Sequence, residues 1–230
     1  MLPFLIYIFL KKYSRQSWAK TGLQISKLLS SHFQIIFASL IILLLLIPLL
    51  SKSQNLQLNY KIIKGGNDIG WLRLEKNIFG NTLNLLLVSE IKTRFIFQIN
   101  VLAKETSTFE NGKLVYSSQF RKTNGDTKLD KQTRLIADKY EVQENDEKKE
   151  LSIHLISTNL LCLYFQEPVN IYWVYCDNHK TYSKITKAED GGYKIKFPDG
   201  NSNIFYYCKG VCTKILINHT FYSAEIILKP

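Results

Sequence analysis

Across most of the chain, hydrophobic and polar residues alternate in short runs. In "GYKIKF" Tyr193, Ile195 and Phe197 point one way while Lys194 and Lys196 point the other, the two-residue period of a half-buried strand. "KTYSKITK", "SNIFYY", "TKILIN" and "YSAEIILK" read the same way, as do "IGWLRLEK" and "NTLNLLLVSE" upstream. "TRFIFQINVLAKETSTF" exceeds ordinary strand length and is expected to bend or bulge. Turn signals separate these runs. "ENGK" and "TNGD" carry Asn-Gly pairs suited to type I′ hairpins, "EDGG", "PDGN" and "CKGV" follow, and Asn145-Asp146 is expected to turn between two short charged strands. "GGND" at Gly65 to Asp68 is a lone turn. Successive hairpins predict a mainly β fold, an antiparallel meander forming a curved sheet or partly closed barrel.

One stretch breaks the pattern. In "STNLLCLYFQEP", Leu160, Leu161, Tyr164 and Phe165 have helical spacing, Ser157 or Thr158 offers an N-cap, and Pro168 stops the run. A short helix covering the open face of the sheet is expected there. Its apolar side chains either fill the core or wall a pocket for an apolar ligand. In the pocket reading the lining comprises Leu160, Leu163, Tyr164, Phe165 and Trp173, with Glu167 at the mouth.

The N-terminus follows a different pattern. Residues 1–53 hold six basic residues and no acid, and Ile35 to Leu50 is apolar except for Ser39 and Pro48. A basic region, an apolar core and small residues at Ser51 and Ser53 are the parts of a secretory signal, cleaved to leave Gln54 first. The alternative is a retained anchor over residues 33–50. The sixteen-residue apolar core spans about 24 Å as a helix, short of the roughly 30 Å hydrocarbon layer. A start nearer Leu28 would make the signal conventional; a long leader is the other option. Two segments are therefore expected, a leader at 1–53 and one β-rich domain at 54–230.

Removing the leader changes the charge argument. The chain carries a net +11, but beyond the leader 24 basic residues face 19 acidic ones. That mild excess, scattered as lysines along strands, suits a solvated face and argues against a nucleic-acid partner. Export also changes how the cysteines read. Cys208 and Cys212 flank a turn, and an oxidising compartment favours a disulfide between them, with Cys162 and Cys176 as the second pair. A three-residue loop would make Cys208 and Cys212 face each other, whereas a two-residue turn at Lys209-Gly210 would set Cys212 against Tyr207.

Catalytic and metal chemistry leave little trace. No nucleophile elbow, phosphate-cradling loop or H-E-x-x-H motif occurs. No cofactor, catalytic residue or resident metal is expected. The one metal alternative is a zinc set of Cys176, His179, Cys208 and Cys212. Glu167, Asp177, Glu189 and Asp190 could pair as carboxylates, although nothing in their spacing requires it. His154 is expected on a strand face and His219 in a turn.

"YKIIKGGNDIGWLRLEK", "FENGKLVYSSQF", "CLYFQEP" and "YKIKFPDGNSNIFYYCKGVCTKILI" resemble, in order and spacing, a family of exported bacterial β-rich proteins of unknown function with a central Leu-Tyr-Phe-x-Glu-Pro segment. The resemblance covers most of Tyr60 to Leu228 and rests on turns and core positions, so it implies a fold and no catalytic residues. Cys208 and Cys212 look like an addition to it. The arrangement also looks like the unclosed barrels of periplasmic lipoprotein carriers, a likeness of architecture alone. Together these readings predict an exported protein of the periplasm or cell envelope that binds a lipid or other apolar ligand inside its sheet. The alternatives are a structural envelope protein that binds another envelope protein, and a hydrolase with an unrecognised site. An uncleaved leader would add membrane contact.

Overall fold

The computed structural model describes residues 54–94, 98–220 and 222–230. The leader and its expected apolar helix lie outside the described residues, and among those described no helix is long and apolar enough to cross a membrane. The strands are β1 (Gln54–Lys64), β2 (Asn67–Phe79), β3 (Thr82–Arg94), β4 (Gln98–Glu110), β5 (Lys113–Thr123), β6 (Asp126–Ile136) and β7 (Lys139–Glu144). They continue as β8 (Glu147–Leu151), β9 (Trp173–Cys176), β10 (Thr181–Lys187), β11 (Tyr193–Lys196), β12 (Ser202–Cys208), β13 (Val211–His219) and β14 (Tyr222–Leu228).

All pair antiparallel in one sheet of order β8-β7-β6-β5-β4-β3-β2-β1-β14-β13-β12-β11-β10-β9. Two meanders thus meet where β1 pairs with β14. The terminal strands β8 and β9 stand at opposite edges, so the sheet is curved but unclosed. Register irregularities at Ile62/Ile63, Thr108/Phe109, Arg121/Lys122 and Tyr206/Tyr207 add the twist that strands of up to thirteen residues need.

The expected hairpins form at the expected residues. Asn111-Gly112 and Asn124-Gly125 take positive φ at both positions, as type I′ turns require. Ala137-Asp138 does the same with φ of 47° and 66°, a conformation that a Cβ disfavours by about 1–2 kcal/mol. Ala137→Gly is therefore expected to stabilise the domain by about 1 kcal/mol, readable as a higher midpoint in thermal unfolding.

Three local expectations need correction. The run Thr93 to Phe109 is not one bent strand: it is the end of β3 and nearly all of β4, paired back with Arg94 opposite Gln98. An apolar run with no Gly or Pro hides that reversal. His154 follows the end of β8 and lies outside the sheet. The covering helix is a single 3-10 turn, Leu160–Tyr164, whose N-cap is Asn159 rather than Ser157 or Thr158. Asn159 makes no side-chain cap bond to the backbone: its Nδ2 donates across the sheet, and its Oδ1 accepts from the Cys162 thiol at 3.4 Å.

The core lies between the curved sheet and this 3-10 turn. Leu58, Tyr60, Leu72, Leu74, Leu85 and Leu87 of β1–β3 meet Ile195, Phe205, Cys212 and Ile215 of the other meander, with Leu161, Leu163, Tyr164 and Phe165 between them. Full burial of each such side chain contributes roughly 1.5–3 kcal/mol.

Candidate functional site

The concave face divides into an apolar half and a polar half, and the pairing register shows where it changes. One row of neighbours runs Leu58, Leu74, Leu87, then Glu105, Gln119, Lys131 and Glu144 across β1 to β7. The next row on the same face runs Leu85, Ser107, Ser117, Thr133 and Val142. The change from leucine to polar side chains therefore falls between β3 and β4.

The apolar half is filled by the 3-10 turn. Tyr164 makes edge-to-face contacts with Tyr60 and Phe205, at centroid distances of 5.7 and 6.1 Å. Tyr60 donates its hydroxyl proton to the Cys212 carbonyl at 2.7 Å, and Tyr207 donates to the Leu163 carbonyl at 2.7 Å. Tyr193 donates to Glu167 Oε1 at 2.8 Å, and the Glu167 amide donates to the Gly210 carbonyl at 3.2 Å. The segment is thus bolted to the β12–β13 hairpin along its length. Burial pushes the Tyr60 and Tyr207 hydroxyls far above the ordinary tyrosine value, so they serve as donors only.

The polar half is covered by the turn after β9. Ser117 donates to Asp177 Oδ1 at 2.6 Å, and Asn159 Nδ2 donates to Asp177 Oδ2 at 3.1 Å and to Ser107 Oγ at 2.7 Å. Lys131, 2% exposed, donates to the Asp177 carbonyl, and Lys180 pairs with Glu144. Except for the Asn159–Asp177 bond, each joins β4–β7 to the segment Asn159 to Lys180. They draw the two ends of the unclosed sheet together where no backbone ladder does so. Gln119 donates to the Glu105 carboxyl, and its Oε1 has no partner among the described residues.

Burial dominates the electrostatics of this clasp. Desolvation raises the Asp177 carboxyl, opposed by the Ser117 bond and the Lys131 charge; it also raises Glu105. Desolvation lowers Lys131, opposed by Glu144 and Asp177. The folded protein therefore keeps carboxyl protons that the unfolded chain releases near its ordinary values of 3.8 and 4.5. The stability so contributed is present below those values and declines as pH rises through the raised folded ones. Glu144, held low chiefly by the Lys180 bond, acts in the opposite sense at more acid pH. The urea midpoint is expected to fall as pH is raised above the ordinary carboxyl values of 3.8 and 4.5, and Asp177→Asn should flatten that slope.

The residues proposed as ligand-lining scatter in environment. Leu163, Tyr164 and Phe165 are buried core, Leu160 is partly buried, and Glu167 is held by Tyr193. Trp173 faces outward. Two hollows, of about 410 and 310 Å³, lie on the outside, one beside Asn59, Trp71 and Lys229 and the other beside Asp138, Lys139 and His154. Neither touches the 3-10 turn.

The cysteines correct two further expectations. All four are free thiols, so neither the Cys208–Cys212 nor the Cys162–Cys176 disulfide is formed. The turn is the two-residue one: Cys208 pairs with Val211, and Cys212 opposes Tyr207 on the buried face while Cys208 is exposed. Among the described residues no three metal-ligating side chains converge, and Cys176 and His179 are not brought to Cys208 and Cys212. Burial pushes the Cys162 and Cys176 thiols up to about 11 and that of Cys212 to about 12, far from thiolate chemistry. His179 instead stacks on Phe197, 3.8 Å from Asp199. His219 closes β13 and stacks on Tyr222. Three of the four candidate carboxylates separate as well: Asp177 enters the clasp, Glu167 takes Tyr193, and Asp190 takes Tyr206 at 2.6 Å.

Sequence reasoning missed the clasp itself. Its trace was present in "KETST", "YSSQF" and "DKQTR", three successive strand segments whose inward positions are as polar as their outward ones. Nothing local indicated that Asp177 and Asn159 would cover them.

The molecule is thus a β-barrel-like domain, an open antiparallel sheet closed by a hydrophobic plug and a polar clasp. The chain belongs to the DUF6134 family, a domain of unknown function, which matches residues 60–229. No curated protein matches. Among solved structures it is similar to a beta-barrel-like protein of the domain of unknown function DUF1849 from Brucella abortus, with 11% identity and a TM-score of 0.45, over 77% of this chain and 95% of that one.

Proposed function

We propose that this chain is a non-enzymatic component of the cell envelope that works through its outer surface, its interior being occupied by its own residues. One observation carries the reading: the place an apolar ligand would take is held by Leu161, Leu163, Tyr164 and Phe165, anchored by the Tyr207 and Glu167 bonds. The polar half supports the same view, because its ionisable groups are used in holding the sheet together. The apolar leader is the reason to place the protein in the envelope.

The test is solvent extraction of the full-length protein after purification from its native envelope, followed by mass spectrometry. No lipid at the molar level of protein is expected. One lipid per chain would restore the carrier reading, with Leu160, Leu163, Tyr164, Phe165, Glu167 and Trp173 moving to admit it.

A further inference from the structure

The larger of the two outer hollows, about 410 Å³, has chemically mixed walls that include Asn59 of β1, Trp71 and Arg73 of β2, and Lys229 just after β14. Its volume falls in the range of small-molecule sites, roughly 300–1,000 Å³. The pairing register explains the depression. Asn59 is opposite Arg73, and the Lys229 amide donates to the Asn59 carbonyl at 2.8 Å, so the three side chains stand in one row on the outer face. Trp71 occupies the next row, opposite Lys61. A short amide among longer neighbours leaves the space above it open.

The groups around the hollow have capacity left after their own contacts. Trp71 is 38% exposed, and its indole N–H donates to Glu90 Oε2 at 3.3 Å. That bond orients the ring and uses its polar edge, so the apolar faces are what it offers. Among the described residues no ring or cation stacks on them. Arg73 meets Glu75 through Nε, which leaves its terminal nitrogens, and Asn59 accepts from Gln57 at Oδ1, which leaves its Nδ2 donor. The adjoining acids are matched in pairs, Glu75 by Arg73 and Glu90 by Lys92. Lys229 and Lys61 make no ion pair among the described residues, so the charge left uncompensated here is positive.

We propose that this hollow binds a saccharide that carries a carboxylate. The ligand class follows from the donor set. A pyranose ring presents a face of C–H bonds, slightly positive, to which the negative face of an indole is complementary. Its hydroxyls suit the Asn59 amide, and its carboxylate suits the Arg73 terminal nitrogens and the Lys229 ammonium. A bare inorganic anion would make no use of Trp71, and a neutral sugar would leave the lysines without a counter-charge. The proposal gives the surface-acting reading above a ligand, and rests on that reading.

The experiment titrates the full-length protein with trigalacturonate by calorimetry, with a neutral galactose trisaccharide and inorganic phosphate as comparisons. Trigalacturonate is expected to bind, the neutral trisaccharide about tenfold more weakly, and phosphate neither to bind nor to compete. Trp71→Ala is expected to weaken binding by about tenfold or more, and Arg73→Gln by about tenfold. Tyr172→Ala, which removes an exposed aromatic elsewhere, should leave it unchanged. Urea midpoints confirm that each variant is folded. No binding of trigalacturonate would overturn the proposal, as would binding that Trp71→Ala and Arg73→Gln leave intact. Equal affinity for the neutral sugar, or displacement by phosphate, would overturn it too. Tighter binding of single-stranded oligodeoxythymidylate at the same residues would assign the hollow to nucleic acid instead. Lipid inside the sheet is read by extraction on separate protein, so lipid found there with saccharide binding intact would sink the filled-interior reading alone.

Discussion

Asp177→Ala is expected to cost about 3–5 kcal/mol of stability, the range for stripping a buried polar network of its central partner. The substitution leaves Ser117 and Asn159 each with a donor that no longer reaches its acceptor, and takes from Lys131 one of the carboxylates that favour its charge, Glu144 remaining. Asp177→Asn provides the discriminating comparison. Burial drives this carboxyl towards its neutral form, and an amide keeps an acceptor for Ser117. It should therefore cost no more than about 1–1.5 kcal/mol. Urea unfolding of both variants reads the difference. Equal losses would mean that the charge, rather than the hydrogen bonds, holds the two ends of the sheet.

Tyr164→Ala is expected to be comparably severe, about 3–5 kcal/mol by analogy with other large aromatic truncations. The ring lies between Tyr60 and Phe205, and its loss would open a cavity between the two meanders that the sheet is poorly placed to collapse. Chemical unfolding measures the cost, and the same variant examines the plug reading from a second side. If Tyr164→Ala lost little stability and gained affinity for an apolar dye, the segment would be a movable lid and the interior a binding space.

Both predictions concern features that were unequally visible in the sequence. The plug was legible because "LLCLYF" is apolar on every side, and its chain stop at Pro168 was explicit. Its 3-10 geometry was not, because the choice between cap residues depends on what Asn159 bonds to across the sheet, at Ser107 and Asp177. The hairpins were legible wherever Asn-Gly or Gly supplied positive φ. They were hidden at Ala137-Asp138, whose strained backbone has no sequence signature, and at the reversal after Arg94. The clasp was illegible for a more general reason. A polar residue at an inward strand position looks like a surface residue until the element that covers it is known, and Asp177 reaches Ser117 across sixty positions of chain.

The meeting of β1 and β14 inside the sheet has a consequence for how the domain assembles. Tyr60 pairs with Leu228, so the seam between the eight-strand and the six-strand meander joins the earliest and latest strands of the fold. Each meander is built from local hairpins and is able to form early, but closing so long a loop is entropically slow and late. Until β14 arrives, β1 presents an open edge, with its leucines and Tyr60 uncovered on one side. A chain emerging N-terminus first therefore remains an unfinished half-sheet through most of its synthesis. The last strand is thus the one that commits the molecule to its fold.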